Sequence, residues 1–141
     1  TSVRALQGYS ANVTRLYGDR FALLGNAGEF LDPVFSSGVT IAMCSASIAA
    51  NLLDQQLLGK EVCWQQQFSD PLKKGVEVFK QFVMSWYDTN LQNIIFFQKD
   101  DNEVKAMICS ILAGYAWDDN NPYVSKTERR LSALIELCKS K

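Results

Sequence analysis

Polar and apolar positions near the start of this chain predict a short β-hairpin. Residues 10–16 and 21–24 are β-leaning stretches. Between them, residues 17–20 carry a glycine and an aspartate, which are typical of turns. Two such stretches around a short turn predict an antiparallel pair of strands.

The longest apolar stretch of the chain predicts a helix. Small and apolar residues run from Val39 to Leu53 without a charge. Gly59 follows this stretch at a position where glycine commonly ends a helix. We therefore expect a helix over residues 37–58. Ala42, Ala46, Ala49 and Leu53 would give it a stripe of small residues for close packing.

The second half of the chain carries a helical period. Ser69 and Pro71 are typical of a helix start, with Ser69 as the cap. Apolar residues repeat at steps of three and four along one face of this helix, at Leu72, Val76, Phe79, Val83 and Trp86. Shorter helices are expected over residues 90–97 and 103–113. A loop over 115–124 and a last helix capped by Ser125 or Thr127 complete an α+β, mostly helical chain with about five helices.

Composition narrows the class of protein. The formal net charge is −1 and the basic residues form no cluster, so nucleic acid is not an expected partner. No stretch is long and apolar enough to predict a membrane span. There is no histidine, and the four cysteines form no C-x-x-C pair, which argues against a metal site. Reduced, mostly buried thiols in a cytoplasmic protein are the expectation.

The stretch from Gly18 to Ala50 is the strongest candidate for a binding site. It combines a short strand, a turn at Gly25, a proline-bounded loop and a helix that opens on Ser36-Ser37-Gly38. A helix start offers N–H groups without intrahelical acceptors and the positive end of the helix dipole, which together favour an anion. The serines could instead only cap the helix, and the glycine turn could be a turn and nothing more.

The order of residues in this stretch resembles the second flavin-contacting motif of FAD-dependent monooxygenases, above all of flavin-dependent halogenases. The matching residues are Gly18-Asp19, Phe21-Ala22-Leu23-Leu24, Gly25-Asn26-Ala27, Phe30-Leu31-Asp32-Pro33 and Phe35-Ser36-Ser37-Gly38-Val39. Asn26 departs from the pattern, because the family usually has an aspartate there. A weaker, aromatic-rich likeness continues over residues 82–87 and 112–122.

The resemblance implies the site residues. The flavin contacts would be Gly25, Asn26, Pro33, Gly38 and Val39, and backbone N–H groups of Ser37 and Gly38 would bind halide. Asn26 would accept a hydrogen bond from a ribityl hydroxyl through its neutral amide. The resemblance assigns no catalytic residue in this chain. The aromatic side chains Phe79, Phe82, Trp86, Tyr87, Phe96 and Phe97 are expected in the core rather than in a substrate cavity.

The resemblance also implies a reaction. Reduced FAD from a separate flavin reductase, dioxygen and chloride or bromide would generate an electrophilic halogen source that halogenates an electron-rich aromatic. Phe35 stands where a glutamate would favour tryptophan substrates, so a phenol or pyrrole is expected. A flavin hydroxylase or a prenyl reductase of the same superfamily is the alternative enzyme. A non-enzymatic helical interaction module is the alternative from another class.

The glycine-rich turn that holds a dinucleotide pyrophosphate has no counterpart before Gly18. We therefore expect a C-terminal fragment of a larger FAD-binding protein, with residues 1–59 carrying the flavin motif and residues 60–141 forming a helical region. Its partner would be the N-terminal FAD-binding region. Alone, the chain is expected to be inactive, to retain no FAD tightly and to associate with itself.

Overall fold

The computed structural model describes residues 11–97 and 102–139, which hold four short strands and six α-helices. The predicted mostly helical α+β class is confirmed. Contacts between Cα atoms divide the chain into two compact units, Thr1–Leu72 and Lys73–Lys141. The division suggested by the sequence falls earlier, at Gly59.

The four strands of the first unit form two antiparallel pairs, and none is longer than two residues. They are β1 (Ala11–Asn12), β2 (Tyr17–Gly18), β3 (Phe21–Ala22) and β4 (Glu29–Phe30). β2 pairs with β3, with Tyr17 opposite Ala22. β1 pairs with β4, with Ala11 opposite Phe30.

The predicted hairpin therefore forms, but its turn is shorter than expected. Tyr17 and Gly18 belong to a strand, and only Asp19 and Arg20 make the turn. Residues 11–12 pair with β4 and not with residues 21–24, and residue 10 lies outside the described residues. The ring of Phe21 lies over Gly18, where any side chain would collide with it.

The long apolar stretch forms helix α1 (Gly38–Leu57), which confirms the prediction to within one residue at each end. Gly59 has a left-handed φ of 79°. Its N–H donates to the carbonyl of Gln56, and the N–H of Lys60 donates to that of Gln55, both at 3.0 Å. This bonding pattern satisfies the last carbonyls of the helix, so the glycine ends α1.

Only one face of α1 is buried within the described chain. Ile41, Ser45, Ala49 and Leu52 lie on that face. Four large side chains lie exposed on the opposite side, namely Val39 (70% exposed), Met43 (70%), Leu53 (49%) and Leu57 (78%). The predicted small-residue stripe follows the border between the two faces, since Ala49 is buried whereas Ala46 and Leu53 are exposed. The stripe is thus not a single packing surface.

The helix expected to start at Ser69 starts earlier. A π-helical turn, Gln65–Ser69, continues directly into α2 (Asp70–Tyr87). Ser69 is buried inside this turn and does not cap the helix. Pro71 has no N–H, and its ring crowds the carbonyl four residues before it. A widened turn accommodates this proline without ending the helix.

The regular structure in the described part of the second unit is all helical. After α2 come α3 (Asn90–Ile95), α4 (Asn102–Leu112), α5 (Pro122–Ser125) and α6 (Thr127–Lys139). Its core holds buried side chains from every one of these helices, including Phe79, Phe82, Leu91, Ile94, Ile108, Ile111, Tyr123, Val124 and Leu131. Gly114 follows α4 with a φ of 116°, as expected of a glycine that ends a helix.

Helix α5 lies where the sequence predicts only a loop. Asn121 is 6% exposed and caps it, since its Oδ1 accepts the N–H of Tyr123 at 2.9 Å. The Nδ2 group of the same side chain donates to the carbonyl of Met107 at 2.9 Å and to Ser110 Oγ at 3.2 Å. One buried amide therefore starts α5 and fastens it to α4.

The last helix begins at Thr127, but not with the predicted side-chain cap. Thr127 is itself the first residue of α6 and is buried. Its Oγ1 donates to the carbonyl of Val124 at 3.0 Å. A hydroxyl used in this way points back toward α5, so it links the two helices instead of capping the second.

The aromatic residues divide between core and surface. Phe79 and Phe82 are fully buried, and the ring of Phe79 meets that of Trp117 edge to face at 6.0 Å. Tyr87 (62% exposed) and Phe96 (76%) lie at the surface, so the core assignment is wrong for these two.

The four cysteines are free thiols, and the prediction that most are buried is wrong. Cys63 and Cys109 are exposed, whereas Cys44 and Cys138 are half-buried. In the described ranges, no group of three or more metal-ligating side chains is arranged to hold a metal ion. No described helix is both long and apolar enough to cross a membrane.

Candidate functional site

The strand β3 leads into a tight 3-10 turn, Gly25–Ala27, that packs directly on α1. Gly25 is buried and has a left-handed φ of 52°. A Cβ at this position would lie 2.8 Å from the Cβ of Ala42. Both the backbone angle and the space therefore require glycine here.

A second 3-10 turn, Pro33–Phe35, delivers the chain to the start of α1. The Oδ1 atom of Asp32 accepts the N–H of Val34 at 3.2 Å, which fixes the entry to this turn. The turn ends at Ser36, a non-glycine residue with a φ of 53°. Asp32 thus has a local structural role as a cap.

The N-terminus of α1 carries no side-chain cap. Ser37 is buried, and its carbonyl accepts the N–H of Ile41 at 3.0 Å, but its hydroxyl bonds to no N–H of the first turn. The N–H groups of that turn have no intrahelical acceptors. Capping of this helix by Ser37, one of the two interpretations of the sequence, does not occur.

The two loops of the motif meet at this helix start. Asn26 is exposed, and its Oδ1 atom lies 3.2 Å from the position that a Cβ of Gly38 would occupy. The first residue of α1 therefore sits against the amide of Asn26 with no room to spare. A polar side chain and the positive end of a long helix are brought together.

The other predicted flavin contacts, Pro33 and Val39, lie at the surface. Pro33 is exposed at the first position of its turn, and Val39 is exposed on the first turn of α1. Cys44 is the cysteine of α1. Burial raises the pKa of its thiol, so this thiol stays protonated at neutral pH.

Sequence reasoning missed Ser45. This side chain is fully buried, and its Oγ accepts the N–H of Gly25 at 2.9 Å while donating to the carbonyl of Ala42 at 3.0 Å. The one sequence feature that could have indicated its role is that this serine lies on the same helix face as the apolar residues Ile41 and Leu52.

A separate cleft of about 560 Å³ lies at the β2–β3 hairpin and contains none of the predicted site residues. Tyr17 and Trp64 form one wall, with ring centroids 6.3 Å apart and nearly parallel planes. Hydrogen bonds from Tyr17 to Gln65 and from Trp64 to Gln56 hold these rings. No pattern in the sequence predicts this cleft.

No protein-family model matches the sequence. Among characterised proteins, the chain is 27% identical over 130 residues to a 1H-pyrrole-2-carbonyl-[peptidyl-carrier protein] chlorinase of Pseudomonas fluorescens. The matched region covers 91% of this chain and 28% of that protein. It is 39% identical over 75 residues to a flavin-dependent halogenase of Armillaria mellea, covering 53% of the chain and 14% of that protein.

A solved structure shares the fold. The crystal structure of a flavoprotein/dehydrogenase from Cytophaga hutchinsonii superposes with a TM-score of 0.90 at 46% sequence identity, over 94% of this chain and 33% of that one. The chain thus spans about a third of this structure and 28% of the pyrrole chlorinase. Together these relationships show that the chain is flavin-dependent halogenase-like.

Proposed function

We propose that this chain supplies one wall of the flavin and halide site of a halogenase. The proposal depends on one observation, namely that the Asn26 amide lies against Gly38 at a helix start without a side-chain cap. A helix start with unbonded N–H groups stabilises negative charge, whether on a halide ion or on the pyrimidine edge of a reduced flavin.

The residues present fit a flavin. Gly38 carries no side chain, so no Cβ stands between the backbone of the first helical turn and a bound ring. Asn26 offers both a donor and an acceptor from an exposed position. Ser37 and Gly38 would donate backbone N–H groups to the halide, and Pro33 and Val39 would flank the ring.

Reduced FAD and dioxygen together would supply the oxidising equivalents that convert chloride or bromide into an electrophilic halogen source. A separate reductase would reduce the FAD. The chain's own contribution is to orient and to stabilise charge. The dipole of α1 acts along the helix axis. Of the carboxylates beside the motif, Asp32 caps its turn and Glu29 is buried in β4.

The proposed substrate is an electron-rich phenol or pyrrole. Phe35 occupies the position where a glutamate would favour tryptophan, and the relative from P. fluorescens is named for a pyrrole substrate. A hydroxylase or a prenyl reductase would use the same flavin wall, so the reaction product decides between them.

The test uses the natural gene product that contains this chain. With FAD, a flavin reductase, dioxygen and bromide, we expect a monobrominated product from a phenol or a pyrrole, identified by mass spectrometry, and little from tryptophan. The 141-residue chain alone is expected to elute without the visible absorption of FAD. A hydroxylated or reduced product, or tight FAD binding by the chain alone, would contradict the proposal.

The exposed face of α1 favours a second candidate, a helical interaction module. Val39, Met43, Leu53 and Leu57 are exposed along the whole helix, and exposed apolar surfaces of this kind mark interfaces. We propose a second copy of the chain as the occupant when the chain is alone, because α1 carries a single charge, Asp54, that could oppose pairing.

Self-association is therefore expected for the purified 141-residue chain. Sedimentation velocity over a wide concentration range should show a dimer that Leu57→Glu weakens strongly. Met84→Glu is the matched control, since Met84 is also exposed (57%) but lies on α2. A chain that stays monomeric at every concentration would exclude this surface as a self-association site.

A further inference from the structure

We infer that Ser45 is a positioning residue for the flavin site, holding the Gly25 turn so that the Asn26 amide faces the start of α1. The inference rests on the proposed function, and it adds a residue that neither the motif nor the resemblance assigns. Ser45 lies two helical turns into α1 and is fully buried, so it does not itself reach a ligand.

The Ser45 hydroxyl makes two hydrogen bonds, one as a donor and one as an acceptor. Its hydroxyl hydrogen is used on the carbonyl of Ala42, three residues back in the same helix. This leaves an oxygen lone pair to accept the N–H of Gly25. The carbonyls in the middle of a helix already accept intrahelical N–H groups, and the Ser45 hydroxyl is the acceptor on this face that the turn uses.

The bond from Gly25 to Ser45 adds a hydrogen bond to the packing of the turn on α1. Two neighbouring N–H groups bond locally instead, from Ala27 to the carbonyl of Leu24 at 3.1 Å and from Gly28 to that of Gly25 at 3.0 Å. Gly25 is buried, so its N–H has no water to replace Ser45. Asn26 follows directly, and its amide meets the Gly38 position.

The attachment can be tested without any flavin. In the 141-residue chain, we expect the Gly25 amide to exchange slowly with deuterated water, and Ser45→Ala to accelerate that exchange selectively while the amides of α4 and α6 keep their protection. Ser47→Ala is the control, because Ser47 is exposed on the same helix. Fast exchange of the Gly25 amide in the unaltered chain would overturn the attachment.

The functional part is tested in the natural gene product by a double-mutant cycle on FAD affinity. Ser45→Ala and Asn26→Ala should each raise the Kd about tenfold, which corresponds to about 1.4 kcal/mol. If Ser45 acts through Asn26, the double variant should be little worse than either single one. Additive losses, of about a hundredfold together, would mean that Ser45 has only a structural role.

The two proposals fail separately. If Asn26→Ala leaves FAD affinity unchanged, then the flavin site is wrong, whatever Ser45 does. If Asn26→Ala weakens FAD binding but Ser45→Ala does not, the flavin site stands and the positioning role is wrong. Thermal unfolding of each variant separates a loss of affinity from a loss of the folded chain.

Discussion

Replacing Gly38 by valine is expected to abolish tight FAD binding by the natural gene product while leaving the chain folded. The new Cβ would lie 3.2 Å from the Oδ1 atom of Asn26, and the γ-methyl groups would fill the space in front of the helix N–H groups. Valine is no worse than glycine in a helix, and the exposed Asn26 amide can shift by the few tenths of an ångström that the Cβ needs, so the chain should stay folded. We expect the Kd for FAD to rise by on the order of a hundredfold or more, measured by flavin fluorescence.

Two further variants test whether the loss of FAD affinity arises at the start of α1. Gly38→Ala adds only the Cβ, so an intermediate loss is expected. Ser47→Val introduces the same β-branched side chain at an exposed position of α1 and should leave FAD affinity unchanged. Normal affinity and turnover in Gly38→Val would mean that the start of α1 does not contact the flavin.

Replacing Phe79 by alanine is expected to destabilise the second unit by about 3–5 kcal/mol, the cost of deleting a fully buried phenylalanine. The ring packs edge to face on Trp117, and that indole also lies over Gly75, where any Cβ would collide with it. Urea unfolding followed by circular dichroism measures the loss, and the near-ultraviolet signal of Trp117 should collapse first.

Met84→Ala is the matched control on the same helix, because Met84 is 57% exposed. A change within about 0.5 kcal/mol is expected for such a surface position. Equal effects of the two substitutions would contradict the burial that the structure assigns to Phe79.

The fold could be predicted where the residues of one segment determine its structure without contacts to distant segments. The bounds of α1 follow from an uncharged stretch and from Gly59, and the buried face of α2 follows from the spacing of Leu72, Val76 and Phe79. The helical turn before Pro71 could not be predicted in this way, and the expected start at Ser69 was wrong. A proline usually marks a helix start, and only the π-helical turn reveals that the helix continues through it.

Helix α5 was missed for a different reason. Its four residues carry no helical period, and it depends on the amide of Asn121 reaching the carbonyl of Met107 in another helix. Contacts between distant segments leave little trace in local sequence. The same applies to the site, where the order of motif residues pointed to Gly25, Asn26 and Gly38, but only the fold shows that Ser45 bonds to Gly25.

The position of Asn121 immediately before Pro122 has a consequence for the chemical ageing of this protein. Asparagine deamidates when the backbone nitrogen of the next residue attacks the side-chain amide and closes a five-membered ring. The proline nitrogen has no hydrogen and is already fully substituted, so this route is closed to Asn121. The amide that starts α5 and holds it to α4 is therefore protected from slow conversion to a carboxylate, which could no longer donate to Met107.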